Sequence, residues 1–351
     1  MSERDDADAG KDADMDTDAG TDTGAEADTD TDADMDADTD AGAEDTPSPP
    51  TPTSIGDLAP FFGMGALFVA VPLLALALVP TFDEAGLQAT PDAEDPTYSI
   101  VYFVAILVFT VFVLYVVKRG AERVLQAFIL VAVAVLTFYT LVAVVGILAP
   151  PTAAFAVAGI GAVAVAAAVG LYPEWYVINT AGVLMGAAGA GIFGISFGIL
   201  PALVLLVVLA VYDAIAVYRT KHMLTLADGV MDLKLPVMFV VPRRLDYSFT
   251  ASDEDLAEEG GHDALFMGLG DAVIPGVLIV SAAQFIDAPL AGNYAVFGAF
   301  AGAVIGYFLL MRKVAKGEPH AGLPLLNGGT IAGFFVGAYL LGITPLEAVG
   351  L

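Results

Sequence analysis

Nine apolar segments, each about as long as a membrane-spanning helix needs to be, occupy most of the chain after residue 55. They lie at roughly 60–80, 98–117, 124–149, 152–171, 176–196, 200–218, 265–284, 293–311 and 323–342. The prolines of "APPT" (149–152) separate the third segment from the fourth, because proline breaks helices. With 57% hydrophobic residues, the sequence predicts an all-α polytopic membrane protein of about nine transmembrane helices.

The strong acidity of the chain belongs mainly to its N-terminal tail. The net charge is -28, and 19 of the 41 acidic residues fall within the first 45 positions. This tract lacks aromatic and branched apolar residues, so we expect a disordered tail, followed by an extended spacer at "TPSPPTPTS". Acidity without a basic patch argues against nucleic acid as a partner. Cysteine is absent, which excludes disulfides and thiolate metal sites, and nothing in the sequence implies a metal or a cofactor.

The basic residues predict how the chain is oriented. All 13 lie in the tail or in the loops after the second, sixth and eighth segments, so these regions are expected on the cytoplasmic side. With nine spans, the N-terminus is inside and the C-terminus outside. The predicted divisions are a tail and spacer (1–55), helices 1–6 (56–218), a cytoplasmic loop (219–264) and helices 7–9 (265–351). The acidic tail further suggests the plasma membrane of a salt-adapted prokaryote.

Two acids interrupt the apolar segments well inside the predicted membrane. An aspartate near the centre of a spanning helix costs about 2.5 to 3.5 kcal/mol, so such residues are functional candidates. Asp213 precedes Arg219 by six residues, about 9 Å of helix, and Asp271 follows Asp263 by eight, about 12 Å. Because the two segments run in opposite directions, both acids are expected at a similar depth from the cytoplasmic face.

Two carboxyl groups that face each other in a medium of low dielectric constant cannot both ionise cheaply, so they would share one proton. Aspartic proteases use such a pair: the charged carboxylate takes a proton from the attacking water, and the protonated carboxyl donates to the carbonyl oxygen. A proton relay in a transporter or channel would also use two membrane-embedded acids, as would two unrelated structural residues. The acids alone leave these alternatives open.

Small residues around Asp271 favour access to this acid. Gly268 and Gly270 remove side chains beside it, so another backbone could approach closely. Pro275 and Gly276 are expected to loosen the helix just beyond it, which membranes tolerate where the backbone lines a cavity. Cleavage of a peptide inside a membrane requires such access for substrate and water.

These residues resemble the presenilin and signal peptide peptidase family of intramembrane aspartyl proteases, and most closely its archaeal presenilin-like branch. The family has Tyr-Asp in one span and Gly-x-Gly-Asp in the next, matched here by Tyr212-Asp213 and Gly268-Leu269-Gly270-Asp271. Its third signature, Pro-Ala-Leu and a further proline, corresponds to Ala321-Gly322-Leu323-Pro324, where only the last two residues match. The literal "PAL" at 201–203 opens the sixth segment from the outer face and is not the equivalent position.

The resemblance implies that Asp213 and Asp271 are the catalytic pair of a protease. Its substrates would be single-span membrane proteins or remnant signal peptides within the lipid bilayer. The family pattern also implies a set of substrate-binding and site-shaping residues, namely Tyr212, Gly268, Leu269, Gly270, Gly322, Leu323 and Pro324. For Tyr212, packing within the sixth span is an equal alternative to a role beside the two acids.

Other hydrolase chemistries fit the sequence poorly. "GISFG" (194–198) satisfies a serine nucleophile pattern, but Ser196 lies at the outer end of its segment. The three histidines lie in or at the edges of predicted cytoplasmic loops, too far to act as its base, so we expect Ser196 to bind helix backbone. The sequence also lacks the H-E-x-x-H motif that a zinc protease of this kind would need.

One apolar stretch of the 219–264 loop is too short to span a membrane. "LPVMFVVP" (235–242) is predicted either to form a strand that pairs with an extended substrate or to pack on the helix bundle. The following acidic stretch, 252–263, is predicted to be mobile.

Overall fold

The structure is a computed structural model that describes residues 55–220, 237–244, 264–315 and 321–350. The acidic tail, the acidic stretch 252–263 and all three histidines lie outside these residues. The long helices are α1 (Ile55–Glu84), α2 (Thr97–Lys118), α3 (Glu122–Gly146), α4 (Pro151–Leu171), α5 (Trp175–Ser196), α6 (Ile199–Ile215), α7 (Leu269–Phe285), α8 (Tyr294–Val314) and α9 (Leu323–Leu340). A short α10 (Pro345–Ala348) follows.

The helices confirm the all-α polytopic fold. Within the described residues, eight helices have the length and hydropathy to cross a membrane, and α7 is a shorter apolar helix of 17 residues. The seventh predicted segment began too early, because 264–268 is a β-strand and the helix starts only at Leu269. The predicted break at "APPT" is confirmed, since α3 ends at Gly146 and Pro151 opens α4.

Pro275 does not loosen α7 in the way that the sequence led us to expect. The helix continues through this buried proline to Phe285. Proline has no N–H, however, so it cannot donate to the carbonyl four residues earlier, which is that of Asp271. The local consequence of Pro275 is therefore a missing helical hydrogen bond at the predicted catalytic residue, within an otherwise continuous helix.

Helices α5 and α7 form the centre of the bundle. Helix α5 is the most buried of the spanning helices and α2 the least. Helix α7 packs against α1, α5, α6, α8 and α9, whereas α2 packs mainly on α6. Large apolar side chains remain exposed along the outer helices, among them Val108 and Val111 of α2, as expected for surfaces that face lipid.

Glycines bring the backbones of α8 and α9 into direct contact. Gly298, Gly302 and Gly306 recur every four residues along α8. A Cβ atom at Gly302 would overlap the carbonyl group of Gly329, and one at Gly298 would overlap that of Gly333. No residue larger than glycine fits these crossing points unless the two helices separate.

A two-stranded antiparallel sheet lies between α6 and α7 in the sequence. Strand β1 (Met238–Pro242) pairs with β2 (Ala264–Gly268), so the prediction of a strand in 235–242 is confirmed. Strand β1 pairs with β2 of the same chain, however, and on its other edge Val240 is bound as well. The Asn179 side chain of α5 donates to the Val240 carbonyl (2.7 Å) and accepts from the Val240 N–H (2.8 Å).

Candidate active site

Asp213 lies in the last turn of α6, where the helical geometry changes. The α-helix ends at Ile215 and a π-helical turn, Ala216–Thr220, follows at once. The wider π-turn is a feature that often marks functional sites. The Asp213 carboxylate is half-buried and accepts hydrogen bonds from the backbone N–H of Leu323 (3.1 Å) and from that of Gly322. The first residues of α9 therefore hold this carboxylate.

Asp271 is the third residue of α7 and follows directly on strand β2. The strand ends at Gly268, so the sheet determines where the acid enters the bundle. Two glycines flank its carboxylate: a Cβ atom on either Gly268 or Gly322 would lie 3.4 Å from Asp271 Oδ2. Both glycines thus leave one side of the acid clear of side chains, as the sequence predicted for Gly268.

The two acids line the same cavity, which we call the aspartate cavity. Its volume is about 180 Å³, and the two carboxylates interact electrostatically across it. The two acids therefore lie together in the helix bundle, and their depth below the cytoplasmic face stays a prediction. The other lining residues come from the π-turn, β2, α8 and the start of α9, and all have apolar or no side chains: Val217, Phe266, Met267, Gly268, Leu310, Met311, Val314 and Gly322.

The remaining predicted site residues do not line the aspartate cavity. The Tyr212 ring packs edge-on against Phe103 of α2, with centroids 5.9 Å apart, as expected for a packing aromatic. Leu269 is buried against Gly186 of α5. Gly270 faces open space, and Pro324 opens α9 beside Leu323.

Sequence reasoning missed the apolar walls of the cavity. Leu310, Met311 and Val314 belong to the last turns of α8, and Val217 lies one turn beyond Asp213. The basic residues Arg312 and Lys313 predict that this end of α8 lies near the membrane surface. Which of its side chains face the cavity, however, depends on how α8 packs on α9. No motif marks them in the sequence.

Ser196 has a structural role. Its hydroxyl donates to the Ile192 carbonyl (2.5 Å) and accepts from the Ala89 N–H (2.7 Å), while its own carbonyl accepts from Thr90. These bonds confirm that Ser196 binds helix backbone, and they also attach the loop after α1 to the end of α5. Among the described residues, no group of three or more potential metal ligands lies together.

Comparisons with known proteins identify the family of this chain. The family model of signal-peptide peptidase and presenilin aspartyl proteases matches residues 65–343. Two crystal structures of a presenilin family intramembrane aspartate protease are similar to this chain. One, in space group C222, is 38% identical to this chain with a TM-score of 0.62, and the match covers 80% of this chain and 99% of the other. The other, in space group P2, is 40% identical with a TM-score of 0.60, covering 80% and 98%.

A comparison with curated proteins gave no match. The family model and the two solved structures, both of an intramembrane aspartate protease, show that this chain is an intramembrane aspartic endopeptidase. The chain belongs to the signal-peptide peptidase and presenilin family of aspartyl proteases, and it is an integral multi-pass membrane protein.

Proposed function

We propose that this protein hydrolyses peptide bonds within the membrane-spanning segments of single-span proteins, or within remnant signal peptides, with Asp213 and Asp271 as its catalytic pair. The observation that carries the proposal is that both carboxylates, one from the end of α6 and one from the start of α7, line one cavity. Burying two acids together is costly, and a shared proton relieves the repulsion between them. A shared proton is also what general acid–base hydrolysis needs.

The hydrogen bonds of the site distinguish the two acids. Two N–H groups donate to Asp213 and stabilise its charged form, while Asp271 has no hydrogen-bond donor within the described residues. We therefore place the resting proton on Asp271. Water attacks the scissile carbonyl carbon as Asp213 takes a proton from the water and Asp271 gives its proton to the carbonyl oxygen.

The resulting gem-diol breaks down by the reverse transfers. One of its hydroxyl groups returns a proton to Asp271 while the C–N bond breaks, and Asp213 gives its proton to the leaving nitrogen. The products are a carboxylic acid and an amine, and the pair regains its starting state. The cycle uses two carboxyl groups and one water, so it needs no metal or cofactor.

The glycines and the start of α9 would shape the site for an unwound substrate. Gly268 and Gly322 leave room for a peptide backbone beside Asp271. Leu323 and Pro324 begin α9 next to Asp213 and would hold the substrate segment against the acids. Leu269 would fix the start of α7 through its packing on α5, and Gly270 would leave open space beside it. Tyr212 would act indirectly, through its packing of α6 on α2.

The setting proposed for this reaction is the lipid bilayer of the plasma membrane in a salt-adapted prokaryote. The acidic tail is the feature that supports a salty environment. The alternative of a proton-coupled transporter or channel, with the same aspartates as a relay, finds no support in the family and structural comparisons.

Cleavage of a tagged single-span reporter by the purified protein tests the proposal. The wild type is compared with Asp271→Ala, and with Asp287→Ala as the matched control, since Asp287 is an exposed acid just after α7. We expect product from the wild type and the control only, and none in the presence of a transition-state inhibitor of aspartyl proteases. Cleavage by Asp271→Ala at the wild-type rate would contradict the assignment.

A further inference from the structure

Asn327 forms a polar contact between the two helices that meet at the site. It lies in α9, is 0% exposed, and its Nδ2 donates to the Leu206 carbonyl of α6 at 2.9 Å. Helix α6 carries Asp213, and α9 begins with the Leu323 N–H that binds Asp213. Two hydrogen bonds therefore join α6 and α9. The bond from Leu323 involves the predicted catalytic residue Asp213, and the bond from Asn327 does not.

The Asn327 side chain uses only part of its hydrogen-bonding capacity within the described residues. Its Oδ1 is buried and has no hydrogen-bond partner within the described part of the chain. A buried acceptor without a partner opposes the gain from the Nδ2 bond, and the Leu206 carbonyl lies inside α6, where a helical N–H donates to it as well. A leucine of the same shape at position 327 should therefore leave the protein about as stable or more stable. A native protein that keeps an unsatisfied buried group usually keeps it for a reason other than stability.

The position of Asn327 suits it to fix the axial register of α9 against α6. It follows Leu323 by four residues, about one helical turn. The closest crossing points of α9 and α8, Gly329 on Gly302 and Gly333 on Gly298, are made by glycine backbones, which carry no side chains that could interlock there. A small axial shift of α9 would carry the Leu323 N–H away from Asp213 Oδ2, since hydrogen bonds weaken steeply with distance and angle.

We propose that Asn327 is a positioning residue: by binding the Leu206 carbonyl it fixes α9 against α6 and so holds the Leu323 N–H on Asp213. The catalytic consequence rests on the proposed function, whereas the structural consequence does not. Asn327 acts through Leu323 and does not touch the aspartate cavity.

The test compares Asn327→Leu with Thr330→Val as a matched control. Thr330 is also fully buried in α9, but its hydroxyl donates only to the Leu326 carbonyl of its own helix. Three quantities are measured for the full chain: Tm, residue-resolved amide hydrogen exchange at Leu323, and the kcat and KM for reporter cleavage.

For Asn327→Leu we expect an unchanged or higher Tm, faster exchange at Leu323, and a fall of roughly tenfold or more in kcat with little change in KM. Thr330→Val should match the wild type in exchange and kcat. Unchanged exchange at Leu323 in Asn327→Leu would overturn the proposal, and so would a loss of Tm and kcat that Thr330→Val shares. If the wild type itself cleaves no reporter, the proposed function fails, but the exchange comparison still decides the role of Asn327.

Discussion

Asp213 and Asp271 would each cost about 2.5 to 3.5 kcal/mol near the centre of a lipid-exposed helix. The structure lowers this cost by turning both carboxylates into a shared cavity and by giving Asp213 two backbone donors. The side of Asp271 that faces Gly268 and Gly322 is left clear of side chains. Backbone N–H groups therefore stabilise the charge on Asp213, while the glycines leave room for a substrate beside Asp271.

Replacement of Gly322 tests how much room the reaction needs. A methyl group there would lie 3.4 Å from both Asp271 Oδ2 and Leu310 Cδ2, which is ordinary contact. We expect Gly322→Ala, which restores the residue typical of the family, to keep reporter cleavage within about threefold of wild type, because no atom has to move. The branched side chain of Gly322→Val would extend into the aspartate cavity and abolish cleavage. Equal activity in both variants would show that the cavity is not the substrate site.

Helices α8 and α9 meet backbone to backbone, so their relative position depends on single glycines. The same pair of helices supplies one wall of the aspartate cavity and the N–H groups that bind Asp213. Their packing and the geometry of the site are therefore linked, and a change far from the acids should still affect them.

Gly302→Ala is the direct test of this link. Its Cβ would overlap the Gly329 carbonyl group, so we expect a loss of about 1–3 kcal/mol in stability, seen as a lower Tm in detergent, together with reduced cleavage. Gly328→Ala is the control, because a Cβ there meets nothing within 4 Å. A Tm for Gly302→Ala equal to that of Gly328→Ala would contradict the close contact.

The elements also show which features a single sequence reveals. The span ends marked by prolines and basic residues, and the meeting of the two acids in the bundle, could be predicted because each depends on local composition. Strand β2 could not, since "ALFMG" is apolar and continues into an apolar helix without a change of pattern. The bonds of Asn179 to Val240 and of Asn327 to Leu206 join residues 61 and 121 positions apart, and no local signal marks them.

The glycine contact between α8 and α9, in contrast, has a local signal in the sequence. Gly298, Gly302 and Gly306 are spaced four residues apart, the spacing at which small residues form one face of a helix. That pattern identifies a close helix contact, although it does not identify the partner helix.

The orientation of the whole molecule is a prediction from the positions of its basic residues. By the positive-inside rule we expect the start of α3 in the cytoplasm and the C-terminal end outside. The chain has no cysteine, so a single introduced cysteine is the only thiol that a maleimide can label, and its labelling shows on which side of the membrane it lies. We expect a membrane-impermeant maleimide to label Arg123→Cys only in inside-out vesicles and Leu346→Cys only in right-side-out vesicles; both sites are exposed. The opposite labelling would reverse the orientation and place the aspartate cavity nearer the outer face.

The central claim is that Asp213 and Asp271 act as one catalytic unit, and a double-mutant comparison of cleavage rates tests it most directly. Reporter cleavage is measured for wild type, Asp213→Asn, Asp271→Asn and the double variant, which keep the shape of each side chain. Residues that act as a unit are strongly non-additive, so we predict that each single variant loses cleavage as completely as the double variant. Substantial cleavage in either single variant, with a further loss in the double, would mean that the two acids contribute independently and would contradict the account.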